Sequence, residues 1–217
     1  MWQISDNMVL NDNLVHTSSI NAIKRLNETH IVSVSNDNAI QILSINDLNV
    51  NLKLLNHSNV VKTIEILSNG RLASGSYDKT IRIWDTDGRN QITLFHDGNI
   101  YDLKQLKNEK LISAGEDGIK LWNLNDRTLE LNIEEHTKPV YALEILLDGK
   151  FISASFDSTI KFWNSSTYQS YLTLNLSISF GYNLLCACNT TLPYANYLKT
   201  LDNSKYFAIA LTNFSIL

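Results

Sequence analysis

One set of polar residues recurs four times along this chain with almost constant spacing. The histidines of successive copies are 41, 39 and 40 residues apart, and an aspartate follows each of these four histidines by 21 residues. A serine stands four residues before each aspartate, and a tryptophan closes three of the four units. The columns are His16, His57, His96 and His136; Ser33, Ser74, Ser113 and Ser153; Asp37, Asp78, Asp117 and Asp157; and Trp84, Trp122 and Trp163. Columns that stay in phase over four copies predict a repeat protein.

Apolar residues keep the same phase and predict that each unit is built from β-strands. Runs such as Thr80–Trp84 and Thr159–Trp163 alternate apolar and polar side chains, which is typical of strands with one buried face. Polar turn residues separate these runs, and residues 16–175 contain no run with helical spacing. A period near 40 residues with a few strands per unit is the pattern of propeller blades. The sequence therefore predicts an all-β chain folded as a β-propeller.

Three of the units resemble the core motif of the WD-repeat family. They are Ser74–Asp85, Ser113–Asn123 and Ser153–Asn164, and the resemblance extends over residues 16–175. It implies blades of the WD type and a platform that binds other proteins without catalysing a reaction. The first unit departs from the motif, because Leu43 stands where the other units have tryptophan.

The resemblance also implies a structural role for the repeated histidine, serine and aspartate. These residue types can form a catalytic triad, but a catalytic centre needs one constellation and this set recurs four times. In WD repeats the histidine bridges the aspartate and the serine, and the serine reaches toward the tryptophan indole. Every buried polar group then has a partner, as burial requires. We expect a shortened chain of this kind in the unit that contains Leu43.

The repeat phase predicts one propeller domain over residues 1–217. Its four full units cover about 16–55, 56–95, 96–135 and 136–175, and a degenerate fifth covers 176–217. We expect the fifth unit to pair with residues 1–15, because Trp2 precedes His16 by 14 residues, as Trp122 precedes His136. An insertion over residues 177–189 carries the two cysteines, Cys186 and Cys188, which we expect to be reduced thiols.

The number of blades stays open at this point. A ring of four whole units and one split unit would be closed by pairing its two ends, which leaves no sheet face uncovered. The alternative is a diverged or partial member of a seven-bladed family, at about 40 residues per blade. The second arrangement is favoured, because seven blades are the commonest number in WD-repeat propellers.

Charge and motif content narrow the classes of function. The net charge of −4 argues against nucleic-acid binding, which needs a basic stripe. The sequence has no phosphate-binding loop, no metal-ligand spacing and no nucleophile–base pair outside the repeated sets, so we expect no enzyme activity, cofactor, metal or small-molecule substrate. It has neither a signal-peptide pattern at residues 1–6 nor an apolar run of about 18 residues. We expect no membrane association and a cytoplasmic location, with the nucleus as the alternative.

The resemblance places two positions of each unit on the top face of the propeller. One precedes the structural aspartate, and the other follows the first apolar residue of the inner strand. They are Asn36, Tyr77, Glu116 and Phe156, and Asn21, Lys62, Tyr101 and Tyr141. Half of these residues are aromatic, against 9% of the whole chain, and protein-binding patches favour aromatic side chains.

Two functions are compatible with this pattern. The chain is either a scaffold or adaptor that binds a peptide or domain of a partner protein in a multiprotein complex, or a structural repeat segment or decayed paralogue without a ligand of its own. The degenerate first unit favours the second function, and the aromatic residues at the eight positions favour the first. Scattered surface aromatics remain the alternative explanation of that enrichment, because exposed tyrosines are common.

Overall fold

The computed structural model of the chain describes residues 15–47, 49–88, 91–175, 194–201 and 206–212. These residues form strands and turns, and no helix occurs among them, which confirms the predicted all-β fold. The strands are β1 (Ile20–Arg25), β2 (His30–Ser35), β3 (Ile40–Ser44), β4 (Val50–Leu54), β5 (Val61–Ile66), β6 (Leu72–Ser76), β7 (Thr80–Trp84), β8 (Gln91–Phe95), β9 (Ile100–Gln105), β10 (Leu111–Gly115), β11 (Gly118–Asn123), β12 (Thr128–Ile133), β13 (Val140–Ile145), β14 (Phe151–Ser155), β15 (Thr159–Trp163), β16 (Ser170–Asn175), β17 (Tyr194–Leu201) and β18 (Tyr206–Thr212).

Four sheets of four antiparallel strands follow one another along the chain. Blade 1 comprises β1–β4, blade 2 comprises β5–β8, blade 3 comprises β9–β12 and blade 4 comprises β13–β16. Within each blade the strands pair in chain order, so that short turns suffice to connect them. In every blade a residue with positive φ lies in the turn between the second and third strands or directly after it. These residues are Asn38, Lys79, Gly118 and Ser158.

The blades lie side by side around a common axis. The first strand of each blade contacts the first strand of the next, from β1 through β5 and β9 to β13. Residues of these four strands line one cavity of about 700 Å³. The two-stranded sheet β17–β18 continues the series, because β17 packs against β13 and β14. The chain is therefore built from propeller blades, as the repeat spacing predicted.

Most of the hydrophobic core lies between neighbouring blades. Val61, Ile64 and Trp84 of blade 2 belong to one cluster of buried side chains with Val34 and Ile42 of blade 1. Equivalent clusters join blade 2 to blade 3 and blade 3 to blade 4. Full burial of one large apolar side chain contributes about 1.5–3 kcal/mol. Packing against the neighbouring blades therefore contributes to the stability of each blade.

Blade 1 exposes the face that the later blades bury. Ile20 and Ile23 are 47% and 57% exposed, whereas Ile64 and Leu103, the counterparts of Ile23, are 0% exposed. The sheet formed by β17 and β18 packs against blade 4. Residues 1–14 and 176–193 lie outside the described ranges, so the closed ring and the partial propeller remain the two alternatives.

Several of the sequence predictions concern residues that are not described. They are the pairing of residues 1–14 with the fifth unit, and the insertion over residues 177–189 with its two cysteines. The strands β17 and β18 fall inside the predicted degenerate unit. No helix of the described ranges is long and apolar enough to cross a bilayer.

Candidate functional site

A chain of three hydrogen bonds crosses the interior of blade 2. The indole Nε1 of Trp84 donates to Ser74 Oγ at 2.8 Å, and that oxygen lies 2.7 Å from His57 Nε2. The other ring nitrogen of His57 lies 2.7 Å from the carboxylate of Asp78. Because the Asp78 carboxylate only accepts, Nδ1–H of His57 must donate to it. In the neutral ring Nε2 is then an acceptor, so the serine hydroxyl donates to it. Every polar group of the set thus has a partner.

Blade 4 has the same chain of three hydrogen bonds, and blade 3 has its tryptophan–serine and serine–histidine bonds. Trp122 donates to Ser113, and Trp163 donates to Ser153, each at 2.8 Å. The equivalent histidine nitrogens lie 3.0 and 2.7 Å from these two serine oxygens. In blade 4 the other ring nitrogen of His136 lies 2.8 Å from the Asp157 carboxylate. In blade 3 the His96 nitrogen lies 2.6 Å from Asp117, but the two groups are poorly aligned for a hydrogen bond.

In blade 1 this chain of hydrogen bonds is shortened, as the sequence predicted. His16 lies 2.8 Å from Ser33 Oγ and 3.0 Å from Asp37. Leu43 takes the place of the tryptophan and has no hydrogen to donate to the serine. Blade 1 therefore retains two links of the chain and lacks the third.

The charge state of the histidine–aspartate pair follows from its burial and its hydrogen bonds. Burial lowers the pKa of His57 and holds the ring in its neutral form. Burial alone would raise the pKa of Asp78, but hydrogen bonds from His57 and Thr80 outweigh it and keep that pKa below its usual range. The side chains of His57 and Asp78 are 0% and 4% exposed. The pair is therefore enclosed in the interior of the blade.

Sequence reasoning missed a further column beside these sets. The residue two positions before the closing tryptophan, or before Leu43, is polar or cationic in every blade: Gln41, Arg82, Lys120 and Lys161. Lys120 Nζ lies 3.0 Å from Asp117 and 2.5 Å from Asp97. Burial would lower the pKa of Lys120, but the bonds to these two carboxylates outweigh it and raise the pKa. The fixed offset from the tryptophan was the signal that could have revealed this column.

A repeated backbone hydrogen bond fixes the four loop positions of the predicted top face. The N–H of the residue before each structural aspartate donates to the carbonyl of the residue three positions after the histidine. The bonds are Asn36 to Ser19, Tyr77 to Val60, Glu116 to Asn99 and Phe156 to Pro139, with lengths of 2.9, 3.0, 3.1 and 2.9 Å. The four loop side chains consequently leave the backbone at equivalent points of the four blades.

The other four positions lie on β-bulges. In each blade the register of the first two strands skips one residue of the inner strand: Asn21, Lys62, Tyr101 and Tyr141. A bulge leaves its residue unpaired and turns its side chain away from the regular pleat. The sequence placed these residues at the start of the inner strand but gave no sign of the bulge.

These two sets of positions meet in a continuous row of aromatic rings, which we call the aromatic row. Its members are Tyr77, Tyr101, Tyr141 and Phe156, from blades 2, 3 and 4. Ring centroids are 5.7 Å apart for Tyr77 and Tyr101, and 4.5 Å for Tyr101 and Tyr141. The last pair, Tyr141 and Phe156, is separated by 6.3 Å. Phe156 is 36% exposed and the three tyrosines are half-buried, so the row lies at the surface.

Glu116 joins the row at its centre. Its carboxylate accepts a hydrogen bond from the Tyr101 hydroxyl at 3.2 Å. The backbone and side-chain N–H groups of Asn99 donate to the same carboxylate at 3.1 and 3.0 Å. Burial raises the pKa of Tyr101, and so do the neighbouring Tyr141 and Glu116. The tyrosine is therefore a neutral donor, and the glutamate is a carboxylate fixed in place.

The remaining predicted positions lie toward blades 1 and 2. The side-chain amide of Asn21 donates to Asn36 Oδ1 at 2.8 Å and to the Val61 carbonyl at 2.9 Å. Lys62 lines the central cavity together with Asn21, Tyr101 and Tyr141. The structure thus brings five of the eight residues, the row and Glu116, into direct contact, and it pairs Asn21 with Asn36 separately.

Two segments of the chain match the family described as WD domain, G-beta repeat, namely residues 49–85 and 127–164. The matched segments contain a histidine, serine, aspartate and tryptophan whose geometry is given above. These are WD repeats. Each matched WD segment begins one strand before its blade: residues 49–85 supply β4 of blade 1 and the first three strands of blade 2. Every WD unit consequently links two blades through the backbone.

Among curated proteins, this chain is similar to ribosome biogenesis proteins and to an apoptotic factor. The ribosome biogenesis protein YTM1 of Saccharomyces cerevisiae is 31% identical over 119 residues, which cover 43% of this chain and 26% of that protein. YTM1 of Debaryomyces hansenii is 28% identical over 75% of this chain and 35% of its own length. The human apoptotic protease-activating factor 1 is 29% identical over 76% of this chain and 13% of its own length. The aligned part of this chain spans well under half the length of these relatives.

Proposed function

We propose that the chain is a non-enzymatic interaction scaffold that binds a peptide or domain of another protein at the aromatic row. The observation that carries the proposal is the unbroken contact of Tyr77, Tyr101, Tyr141 and Phe156 across three blades. Clustered aromatic anchors dominate the affinity of many protein interfaces. The row lies beside a cavity of about 700 Å³, which gives a bound segment a concave surface to follow. We propose residues 1–217 as one domain that presents this surface.

The repeated polar sets support a scaffold rather than an enzyme. Ser74, Ser113 and Ser153 are each 0% exposed. The hydroxyl of each accepts from an indole and lies against its histidine, so it has no open side from which to attack a substrate. Removing such a buried network would lower the stability of the fold, and the network is consistent with a rigid frame for the surface residues.

The relatives support a place in a multiprotein assembly. The name ribosome biogenesis protein describes participation in building a large complex, and the human relative is named an activating factor for a protease. We propose protein partners on this basis, without nucleic acid, membrane or small-molecule ligands. Ribosome biogenesis in the names of relatives favours the nuclear alternative over the cytoplasmic location that the sequence suggested.

The proposal is tested by removing the two central rings. The chain with Tyr101→Ala and Tyr141→Ala should lose the proteins that the unchanged chain captures, because truncating an anchor at a hot spot costs about 2 kcal/mol or more. Its melting temperature should stay close to that of the unchanged chain, since both side chains are half-buried at the surface. Captured proteins are compared by quantitative mass spectrometry.

Tyr171→Ala provides the matched control. Tyr171 is 53% exposed on β16, away from the row, and its loss should leave capture unchanged. If the double variant is folded and captures the same proteins at the same level, the aromatic row is not the binding site. A chain that captures nothing specific in either form would support the second function, a structural segment, which is favoured by Leu43 in blade 1.

A further inference from the structure

We infer that the aromatic row accepts a positively charged side chain, arginine or lysine, from the segment that it binds. This inference rests on the scaffold function proposed above and names the chemistry that the site would recognise. It draws on the electrostatics of the rings, on the position of Glu116 and on a lysine of the chain itself.

The rings supply a surface that attracts cations. The face of an aromatic ring carries partial negative charge, and a cation within about 6 Å of the ring centre is stabilised by it. Tyr101 and Tyr141 are 4.5 Å apart, with an angle of 38° between their planes. A cation bound against the exposed side of either ring therefore lies close to the other ring as well.

Glu116 supplies a full negative charge at the same point. Its carboxylate accepts a hydrogen bond from the Tyr101 hydroxyl and two from Asn99, so its position is partly fixed before a cation arrives. Glu116 is exposed, and a bound cation can approach it from solvent. A carboxylate beside aromatic faces favours a cation and disfavours an acidic side chain. The chemistry of the site is therefore complementary to arginine or lysine.

The chain already places one ammonium on the row. Lys138 Nζ lies 5.2 Å from the centre of the Phe156 ring, at the end of the row in blade 4. Lys62 lines the cavity together with Tyr101 and Tyr141. The partner's cation is placed at Tyr101 and Tyr141, next to the Glu116 carboxylate that Tyr101 contacts.

Short peptides that differ at one residue test the inference directly. The probes are Ac-Gly-Ser-Arg-Ser-Gly-NH2 and the same peptide with Gln or Leu at its centre, titrated into isotopically labelled chain and followed by NMR. We expect the Arg peptide to bind about fivefold more tightly than the Gln peptide, as one exposed cation–π contact allows. Tyr101→Ala with Tyr141→Ala should abolish that binding.

Charge variants separate the carboxylate from the rings. Glu116→Gln should lower the affinity for the Arg peptide severalfold and leave the Leu peptide unaffected. Glu130→Gln removes the same charge from an exposed residue of β12, the outer strand of the same blade, and should change neither affinity. Lys138→Met should strengthen binding of the Arg peptide, because it removes a competing ammonium.

The outcomes that overturn the inference differ from those that overturn the scaffold function. If the Leu peptide binds as tightly as the Arg peptide and depends on the tyrosines, the row binds peptides without preferring cations, and only the inference fails. If the Arg peptide binds equally to the double tyrosine variant, both the inference and the proposed location of the site are wrong. Absence of binding by the Arg peptide at millimolar concentration also overturns the inference.

Discussion

Leu43 occupies in blade 1 the register position that Trp84 occupies in blade 2, so Ser33 lacks the indole donor that Ser74 has. The two serines are otherwise alike: both are buried, and both lie within 2.8 Å of a histidine nitrogen. The chain thus contains its own comparison of the polar set with and without tryptophan.

We expect Ser74→Ala to destabilise the chain more than Ser33→Ala. The first change leaves both an indole N–H and an imidazole nitrogen without partners, whereas the second leaves only the imidazole nitrogen. Each unsatisfied buried group costs about 1–3 kcal/mol. Urea unfolding measures the difference, and equal losses of unfolding free energy in the two variants would contradict a stabilising contribution from the indole hydrogen bond.

The stability of the chain should fall as the pH drops below about 4, the usual pKa of an unfolded aspartate. Hydrogen bonds lower the pKa of Asp78 in the folded state against the effect of burial, so its stabilising contribution is present above that pH and is lost as the pH falls toward the folded-state pKa. Asp78→Asn should lower the stability at neutral pH and flatten its acid dependence. Asp126→Asn, on an exposed turn, is the control and should keep the acid dependence of the unchanged chain.

Asp102 should contribute strongly to stability, because its carboxylate binds two neighbouring blades at once. It accepts a hydrogen bond from Thr63 of blade 2 at 3.2 Å and another from the Leu143 N–H of blade 4 at 2.9 Å. One carboxylate on blade 3 therefore connects three blades. Hydrogen bonds to charged groups contribute about 1.5–3 kcal/mol each. Asp102→Ala should cost more unfolding free energy than Thr63→Val, which removes one of these bonds. A larger cost for Thr63→Val would refute the connecting role.

Gly75 leaves room for the next blade. A Cβ at this position would lie 2.6 Å from Ile100 Cγ2 of blade 3 and 2.8 Å from Thr63 Cγ2. Gly75→Ala should therefore force the two blades apart and cost about 1–3 kcal/mol, the usual range for overpacking. Gly70→Ala is the comparison, because nothing lies within 4 Å of its Cβ and only its φ of +81° opposes the change. Thermal unfolding of both variants shows whether the contact with the next blade is what excludes a larger side chain at Gly75.

The parts of the fold that recur in every unit could be predicted from the sequence. The strands and the polar set follow from columns that keep their phase over four copies, and so do the positions of the aromatic row. Asp102 could not be found in this way, because Ala22, Thr63 and Ala142 occupy its column and share no chemistry with it.

Contacts between blades are the other feature that the pattern did not contain. The bulges at Tyr101 and Tyr141 turn two side chains out of the pleat, and only the positions of the neighbouring blades bring those rings to 4.5 Å. Repeat spacing reports that two residues are equivalent. It does not report the distance between them.

The phase difference between WD units and blades determines how such a chain can change in length. Residues 49–85 provide the last strand of blade 1 and the first three strands of blade 2. If such a unit were removed, the last strand of blade 2 would follow the third strand of blade 1 and could complete its sheet. All remaining sheets would still have four strands. Duplication or loss of a single unit therefore changes the number of blades in one step, and no intermediate has to expose an incomplete sheet.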